Sequence, residues 1–193
     1  MLRGTDSVPE EPKVSGTQKM QPIVREQPAE KLNRISKEDP SVERLVLLAE
    51  KYYNGFFGKE RDVPKALRLF TEAADRGSGY ACRRLGLEYS DFAFDDFTPR
   101  DDRKARAWFE KGAALGDAGS MFHLSQFVFE GRGGPKDEQR GTELLLQAAR
   151  LESQGAAHRA IKLAKTGSIT LTPEDKRNFY ILDKQLRNAV ALR

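Results

Sequence analysis

Cysteine and histidine are almost missing from this sequence, and their scarcity excludes several kinds of site. The single cysteine, Cys82, cannot form a disulfide within the chain. His123 and His158 are the only histidines, too few for a Cys/His zinc cluster. We therefore predict no metal site, and we expect Cys82 to be an inert thiol packed beside Ala81.

Long apolar runs are also missing. No stretch of 18 or more apolar residues occurs, so the sequence predicts no membrane-spanning helix. The N-terminus lacks the apolar core and small-residue cleavage site of a signal peptide. As the chain stands we expect a cytoplasmic protein, whereas removal of a leader would place it in the periplasm or envelope, or in an organelle.

The first 40 residues contain no aromatic residue and five of the nine prolines. Such a segment buries too little apolar surface to offset a conformational entropy of roughly 1 to 2 kcal/mol per residue. Residues 1–40 are therefore predicted to be a flexible, Pro-rich N-terminal arm. The alternative is that residues 21–24, or the pair Leu32 and Ile35, dock on a partner or on the rest of the chain.

Positive charge is concentrated at the other end of the chain. Residues 41–158 contain 18 Lys/Arg and 19 Asp/Glu, whereas residues 159–193 contain eight and three. This surplus suggests binding of an acidic partner or of nucleic acid as a second interpretation. The basic residues are not interleaved with aromatic residues in a recognisable reading motif, which argues against nucleic acid.

What the sequence does contain is a repeat. Residues 48–55 follow the pattern Leu-Ala-x-x-Tyr-x-x-Gly, which returns in modified form at 85–89 and 124–131. Residues 62–77 follow Asp-x-x-Lys-Ala-x-x-Leu-Phe-x-x-Ala-Ala-x-x-Gly, which returns at 101–116 and 137–149. A fixed period of this length predicts stacked helical hairpins.

The ends of the predicted helices carry capping residues. Asp62 and Pro64 favour a helix start, and Gly77 favours a left-handed turn that ends the same helix. Gly116 lies 39 residues after Gly77, and Gly155 lies 39 residues after Gly116. Because Glu152 stands where the third copy should have glycine, we expect the third turn to be delayed to Gly155.

These patterns resemble the Sel1-like repeat family, relatives of the tetratricopeptide fold, over about residues 45–163. The resemblance implies an all-α, right-handed α–α superhelix of about three and a half helical hairpins with a C-terminal capping helix. We place the repeats at 41–167, divided as 41–77, 78–116, 117–155 and a half repeat 156–167, and the capping helix at 172–193. The resemblance also implies a non-enzymatic scaffold or adaptor that binds a partner protein.

The sequence offers no recognisable catalytic machinery. Gly131, Gly133 and Gly134 lack the Lys-Ser/Thr of a nucleotide-binding loop, and no Gly-x-Ser-x-Gly motif occurs. We predict neither an enzyme nor a bound cofactor. A hydrolase built on a repeat scaffold is a third interpretation, for which the sequence supplies neither a nucleophile nor an acid pair.

The predicted partner site lies on the first helix of each hairpin, because these helices line the concave groove in solenoids of this kind. A peptide or partner protein would meet the groove at seven positions: Tyr53, Arg83, Arg84, Glu88, Phe122, Gln126 and Phe129. Aromatic and arginine side chains dominate the binding energy of many interfaces. The alternative for the two phenylalanines is that the adjoining hairpin covers them.

Two further groups are secondary candidates for partner binding: Phe92, Phe94 and Phe97 in an acidic loop, and Lys176, Arg177, Lys184 and Arg187 on the last helix. The phenylalanines either fold over the gap between repeats, which we favour, or bind a partner. The loop lacks the alternating oxygen ligands and glycine of a calcium site.

Overall fold

The computed structural model describes residues 40–55, 60–91 and 98–191, and these residues form eight α-helices without a strand. Residues 1–39 of the predicted arm and the loop containing Phe92, Phe94 and Phe97 lie outside the described residues, whereas Pro40, the last residue assigned to the arm, begins the first helix. The helices are α1 Pro40–Asn54, α2 Val63–Asp75, α3 Gly79–Glu88, α4 Asp102–Ala114, α5 Ala118–Glu130, α6 Glu138–Arg150, α7 Gln154–Lys165 and α8 Pro173–Ala191.

Consecutive helices pair into four antiparallel hairpins that stack in chain order. The pairs are α1 with α2, α3 with α4, α5 with α6, and α7 with α8. Each hairpin also packs on the next, through α2 on α3, α4 on α5 and α6 on α7. Because the contacts join neighbours in the sequence, the fold is a solenoid, and the predicted right-handed α–α superhelix is confirmed.

Local hydrogen bonds explain why the second helix of each hairpin starts where it does. The carboxylates of Asp62, Asp101 and Asp137 occupy the same position in three hairpins. Each accepts a hydrogen bond from the backbone N–H three residues later, at 2.9, 3.0 and 2.9 Å. Such a cap satisfies an N–H group that has no partner within the helix.

The third hairpin turns at a different residue from the one predicted. Gly77 and Gly116 adopt φ values of +94° and +81°, as predicted, and Glu152 occupies the equivalent place in the third hairpin with φ +63°. The backbone N–H of Glu152 donates to Ala149 O, which matches the bond from Gly77 to Ala74. The expectation that the turn is delayed to Gly155 is therefore wrong: Gly155 lies inside α7.

Glycine and alanine let the helices approach closely around large buried side chains. Phe70, Phe109 and Leu145 occupy equivalent positions in α2, α4 and α6 and are almost completely buried. A Cβ atom added at Gly86 of α3 would lie 2.5 Å from the Phe109 ring, so only glycine fits there. The small and large positions of the repeat thus form one continuous core along the stack.

The last hairpin closes the C-terminal end of this core. Helix α8 buries Phe179 and Asp183 against α7, and α8 also touches α6. The side chain of Thr172 accepts a hydrogen bond from Asp175 N and so caps the helix. Within the described ranges, no helix is long and apolar enough to cross a membrane.

Candidate functional site

The candidate site is the side of α1, α3, α5 and α7 that we call the first-helix face. It is defined by these residues: Glu50, Tyr53, Arg83, Arg84, Glu88, Phe122, Gln126, Phe129, His158 and Arg159. Helices α3 and α5 touch each other directly. Side-chain contacts also join α1 to α3 and α5 to α7, so residues of successive hairpins meet along this side of the stack.

Tyr53 and Glu88, two predicted binding residues, contact each other inside the structure. The Tyr53 hydroxyl donates a hydrogen bond of 2.8 Å to Glu88 Oε2, and the Thr98 hydroxyl donates one of 2.7 Å to Oε1. Tyr53 is 6% exposed and Glu88 is 2% exposed. Burial, together with the Glu88 carboxylate, raises the pKa of Tyr53 to about 12. This buried hydrogen bond joins α1 to α3 beneath the exposed residues of the first-helix face.

Arg84 also makes its contacts within the stack. Its Nε lies 2.9 Å from Glu50 Oε1, and its guanidinium lies 4.5 Å above the centre of the Tyr53 ring. Tyr80 donates a hydrogen bond of 2.7 Å to the same carboxylate, and burial and Glu50 raise the pKa of Tyr80 to about 12. The Arg84 side chain is 14% exposed, so it ties α1 to α3 and offers little surface to a ligand.

Arg83 is placed at the surface by the next hairpin. Its Nε lies 3.0 Å from Asp117 Oδ2, the carboxylate that caps α5. The side chain crosses Gly119, where an added Cβ would lie 2.4 Å from Arg83 Cδ, and its guanidinium lies 4.9 Å from the Tyr80 ring centre. The side chain remains 29% exposed. A charged group is therefore held in one position with part of its surface open.

Phe122, Gln126 and Phe129 form one stripe along α5, because they are spaced i, i+4 and i+7. All three are half-buried. Phe122 packs over Gly155 of α7, while Phe129 packs over Gly141 of α6 and has the Arg159 guanidinium 5.7 Å from its ring centre. The adjoining hairpin thus covers one side of Phe122, as the alternative expects, whereas Phe129 is covered by α6 of its own hairpin.

His123 is a residue whose environment the sequence did not reveal. Its ring stacks on the buried Phe109 at 5.3 Å and 22°, and Phe122 lies 5.4 Å away on another side. Burial, and next the positive charge of Arg83, lower the pKa of His123 to about 4. The imidazole is therefore neutral at pH 7. Only the juxtaposition of α4 with α5 creates this environment.

The basic candidates of α8 lie at the C-terminal end of the stack. Lys176, Arg177, Lys184 and Arg187 are exposed. Arg187 forms an ion pair with the buried carboxylate of Asp183, which also lies 2.6 Å from His158 Nδ1. These contacts lower the pKa of Asp183, mainly through the hydrogen bond from Arg187.

An ion-pair cluster that has no signal in the sequence fixes the loops that join the two helices of a hairpin. Arg132 Nη2 lies 2.8 Å from both Asp91 and Asp102, and its guanidinium lies 4.0 Å from the Phe127 ring centre. Hydrogen bonds from Arg132 and Arg100 hold the pKa of Asp102 well below its usual range. The cluster joins two successive hairpins, so its role is to set their relative position.

The described residues offer no group that suits a metal ion. Nowhere in 40–55, 60–91 and 98–191 do three or more His, Cys, Asp or Glu side chains converge in a way that would hold one. Cys82 is buried, and burial raises the pKa of its thiol, which suppresses the reactive thiolate. The first-helix face instead presents part-exposed aromatic, amide and guanidinium groups.

Comparison with known proteins agrees with this architecture. The family model described as Sel1 repeat matches residues 45–78, 79–117 and 118–153. No curated protein sequence matches the chain.

Solved structures with the same architecture come from several bacteria. The chain is similar to a Sel1 repeat protein of Oxalobacter formigenes, with 28% identity and a TM-score of 0.60 over 80% of this chain and 44% of that one. It is also similar to a protective antigen of uropathogenic Escherichia coli with an SLR fold, at 22% identity and a TM-score of 0.58, over 82% and 41%. Cysteine-rich protein B of Helicobacter pylori shares 22% identity, with a TM-score of 0.50 over 68% of this chain and 96% of that one. The chain spans less than half the length of the first two structures.

Proposed function

Because the chain belongs to the Sel1 repeat family, whose members are generally protein-interaction scaffolds, we propose that it is a non-enzymatic adaptor that binds a peptide segment of a partner protein along the first-helix face. The segment lies beside the α5 stripe and reaches Arg83 on α3. Phe122 and Phe129 supply apolar contact, Gln126 supplies an amide, and Arg83 pairs with a carboxylate of the peptide.

One observation carries the proposal: part-exposed side chains of the types that dominate interfaces are held in position by their neighbours. Arg83 is fixed by Asp117 and Gly119, and the α5 phenylalanines are backed by Gly155 and Gly141. Side chains that are already ordered lose little conformational entropy on binding, a loss that otherwise costs about 0.5 to 1.5 kcal/mol per side chain. This arrangement favours binding over a purely structural role.

Burial and internal contacts leave four of the seven predicted residues for the proposed contact with the peptide. Tyr53 and Glu88 are buried and bonded to each other, and Arg84 is mostly covered. In the proposal these three residues position the surface, while Arg83, Phe122, Gln126 and Phe129 touch the peptide. Substitution of the first three would therefore act on stability before it acts on binding.

Site-specific photo-cross-linking tests the proposal without disturbing the core. A benzophenone amino acid replaces Gln126 in the full chain, and a matched variant carries it at Gln147, which is exposed on α6. We expect a cross-linked partner from the source cells with Gln126 substituted, and a yield reduced several-fold when Arg83→Ala is added.

Two outcomes would contradict the proposal. A partner captured through position 147 and not through position 126 would place binding on the second helices. Unchanged cross-linking after Arg83→Ala would show that the Arg83 guanidinium does not contact the partner. Circular dichroism at 222 nm confirms that each variant keeps its helical content.

A further inference from the structure

The outer surface of α8 is a second place where the chain is built to meet another molecule. Phe179, Asp183 and the half-buried Leu182 and Leu186 define the side of α8 that faces the stack. The opposite side carries these exposed residues at helical spacing: Glu174, Lys176, Arg177, Tyr180, Ile181, Lys184, Arg187 and Asn188. We call this set the α8 outer face.

Charge on the α8 outer face is predominantly positive. Four of its eight residues are cationic, and one, Glu174 in the first turn, is acidic. After the first turn the only acidic residue of the helix is Asp183, and its carboxylate is buried and bonded to His158 and Arg187. The face therefore keeps a net positive charge beyond its first turn, which favours an acidic partner.

Two adjacent apolar side chains stand in the middle of this charged surface. Tyr180 is 44% exposed and Ile181 is 52% exposed. Arg177 lies one turn before them and Lys184 one turn after them, at spacings of three and four residues that bring side chains together on a helix surface. The result is an apolar pair with a cation at each end.

The position of the α8 outer face in the fold indicates the shape of what covers it. Each earlier hairpin packs on its predecessor, so a helix laid against the end hairpin continues the stack. The exposed side chains of Tyr180 and Ile181 give such a helix an apolar contact, and the cations beside them favour a helix that carries carboxylates.

We propose that the α8 outer face binds an acidic amphipathic helix of a partner protein. Its apolar residues pack between Tyr180 and Ile181, and its carboxylates, one turn away on each side, pair with Arg177 and Lys184. This site is separate from the first-helix face and uses none of its residues. Of the residues of this face only Tyr180 is aromatic, so the face lacks the series of aromatic rings on which successive bases of a nucleic acid stack, and this favours a protein partner.

A designed helical peptide tests the proposal. The fluorescein-labelled probe has 18 residues and alternates Glu and Leu along one stripe at i, i+4, i+7 and i+11, and a second peptide has Gln in place of each Glu. Fluorescence anisotropy at low salt measures their affinity for the full chain. We expect the Glu peptide to bind at least tenfold more tightly than the Gln peptide, with an affinity that falls as salt is added.

Exposed positions allow variants that leave the core intact. The double variant Arg177→Glu/Lys184→Glu is expected to weaken binding of the Glu peptide tenfold or more, and Ile181→Ser to weaken it several-fold. The matched control, Arg68→Glu/Arg103→Glu, makes the same change of net charge at exposed residues of α2 and α4. The control is expected to stay within twofold of the unmodified chain.

Three results would overturn the proposal. Equal affinity of the Glu and Gln peptides would show that binding does not depend on carboxylates. Equal weakening by the Arg68→Glu/Arg103→Glu control would show that only the net charge of the chain matters. Tighter binding of a single-stranded RNA oligomer or of phosphatidylserine vesicles, lost in the double variant, would assign the face to another class of partner. The cross-linking of position 126 is unaffected in each case, so the two proposals fail independently.

Discussion

Acid should destabilise this fold through one residue, His123, well before its carboxylates are protonated. Above pH 6.5 the imidazole is neutral in both the folded and the unfolded chain, so its contribution to the free energy of unfolding is constant. Below pH 6.5 the unfolded chain takes up the proton first, because burial lowers the pKa of His123 in the folded state to about 4. Stability is therefore lost as the pH falls from 6.5 towards 4.

The size of the effect follows from these two values. A shift of one pKa unit corresponds to about 1.4 kcal/mol, so the displacement from 6.5 to about 4 is worth at most roughly 3 kcal/mol. Between pH 7 and pH 4.5 the loss amounts to roughly 2 kcal/mol. The lowered pKa values of Asp102, Asp175 and Asp183 act at lower pH, because an unfolded aspartate binds protons only near 3.8.

Urea unfolding followed by circular dichroism at 222 nm measures this loss at pH 7, 6, 5 and 4.5. His123→Gln removes the titrating group and should lose much less stability over the range, although it starts lower because the stacking on Phe109 is gone. His158→Gln replaces the other histidine, whose ring is 54% exposed, and it should lower stability already at pH 7 because it removes one contact of the buried Asp183 carboxylate. Equal losses in His123→Gln and the unmodified chain would refute the reasoning.

Three substitutions test the packing of the stack, each measured by urea unfolding. Gly86→Ala places a methyl group 2.5 Å from the Phe109 ring and should cost about 1 to 3 kcal/mol; no loss would mean that α3 and α4 are further apart. Asp183→Asn weakens both of its ion contacts and should cost about 1 to 3 kcal/mol, with faster amide exchange in α8 than elsewhere; uniform exchange would argue against a local lock. Glu152→Gly relieves a left-handed backbone and should stabilise the chain by about 0.5 to 1 kcal/mol; a loss of stability would count against the strain.

Much of the architecture was accessible from the sequence because it depends on interactions within one helical turn. Asp62 caps α2 by bonding an N–H three residues later, and Gly77 ends that helix through its own backbone freedom. Such signals are readable wherever they occur. Glu152 shows their limit, because the turn kept its place without the residue that usually marks it, and Gly155 suggested the wrong position.

The candidate site was less accessible, because its residues are placed by contacts between hairpins. Helical spacing correctly put Phe122 and Phe129 on one side of α5, but it did not reveal how far α6 and α7 cover them. Nor did it reveal that Tyr53 and Glu88, 35 residues apart, meet each other. Exposure at these positions depends on the neighbouring hairpin, which spacing within one helix does not describe.

The order of small, large and capping residues alone determined that this protein is a stack of helical hairpins, since a helix carries its own start, stop and apolar stripe in consecutive residues. Only the tertiary structure decided which polar side chains are paired inside the stack and which remain at the surface. Arg83 and Arg84 are adjacent in the chain, yet one is partly open and the other is mostly covered. The difference arises because a side chain's partners belong to another helix, and their distance is set by the packing of whole hairpins.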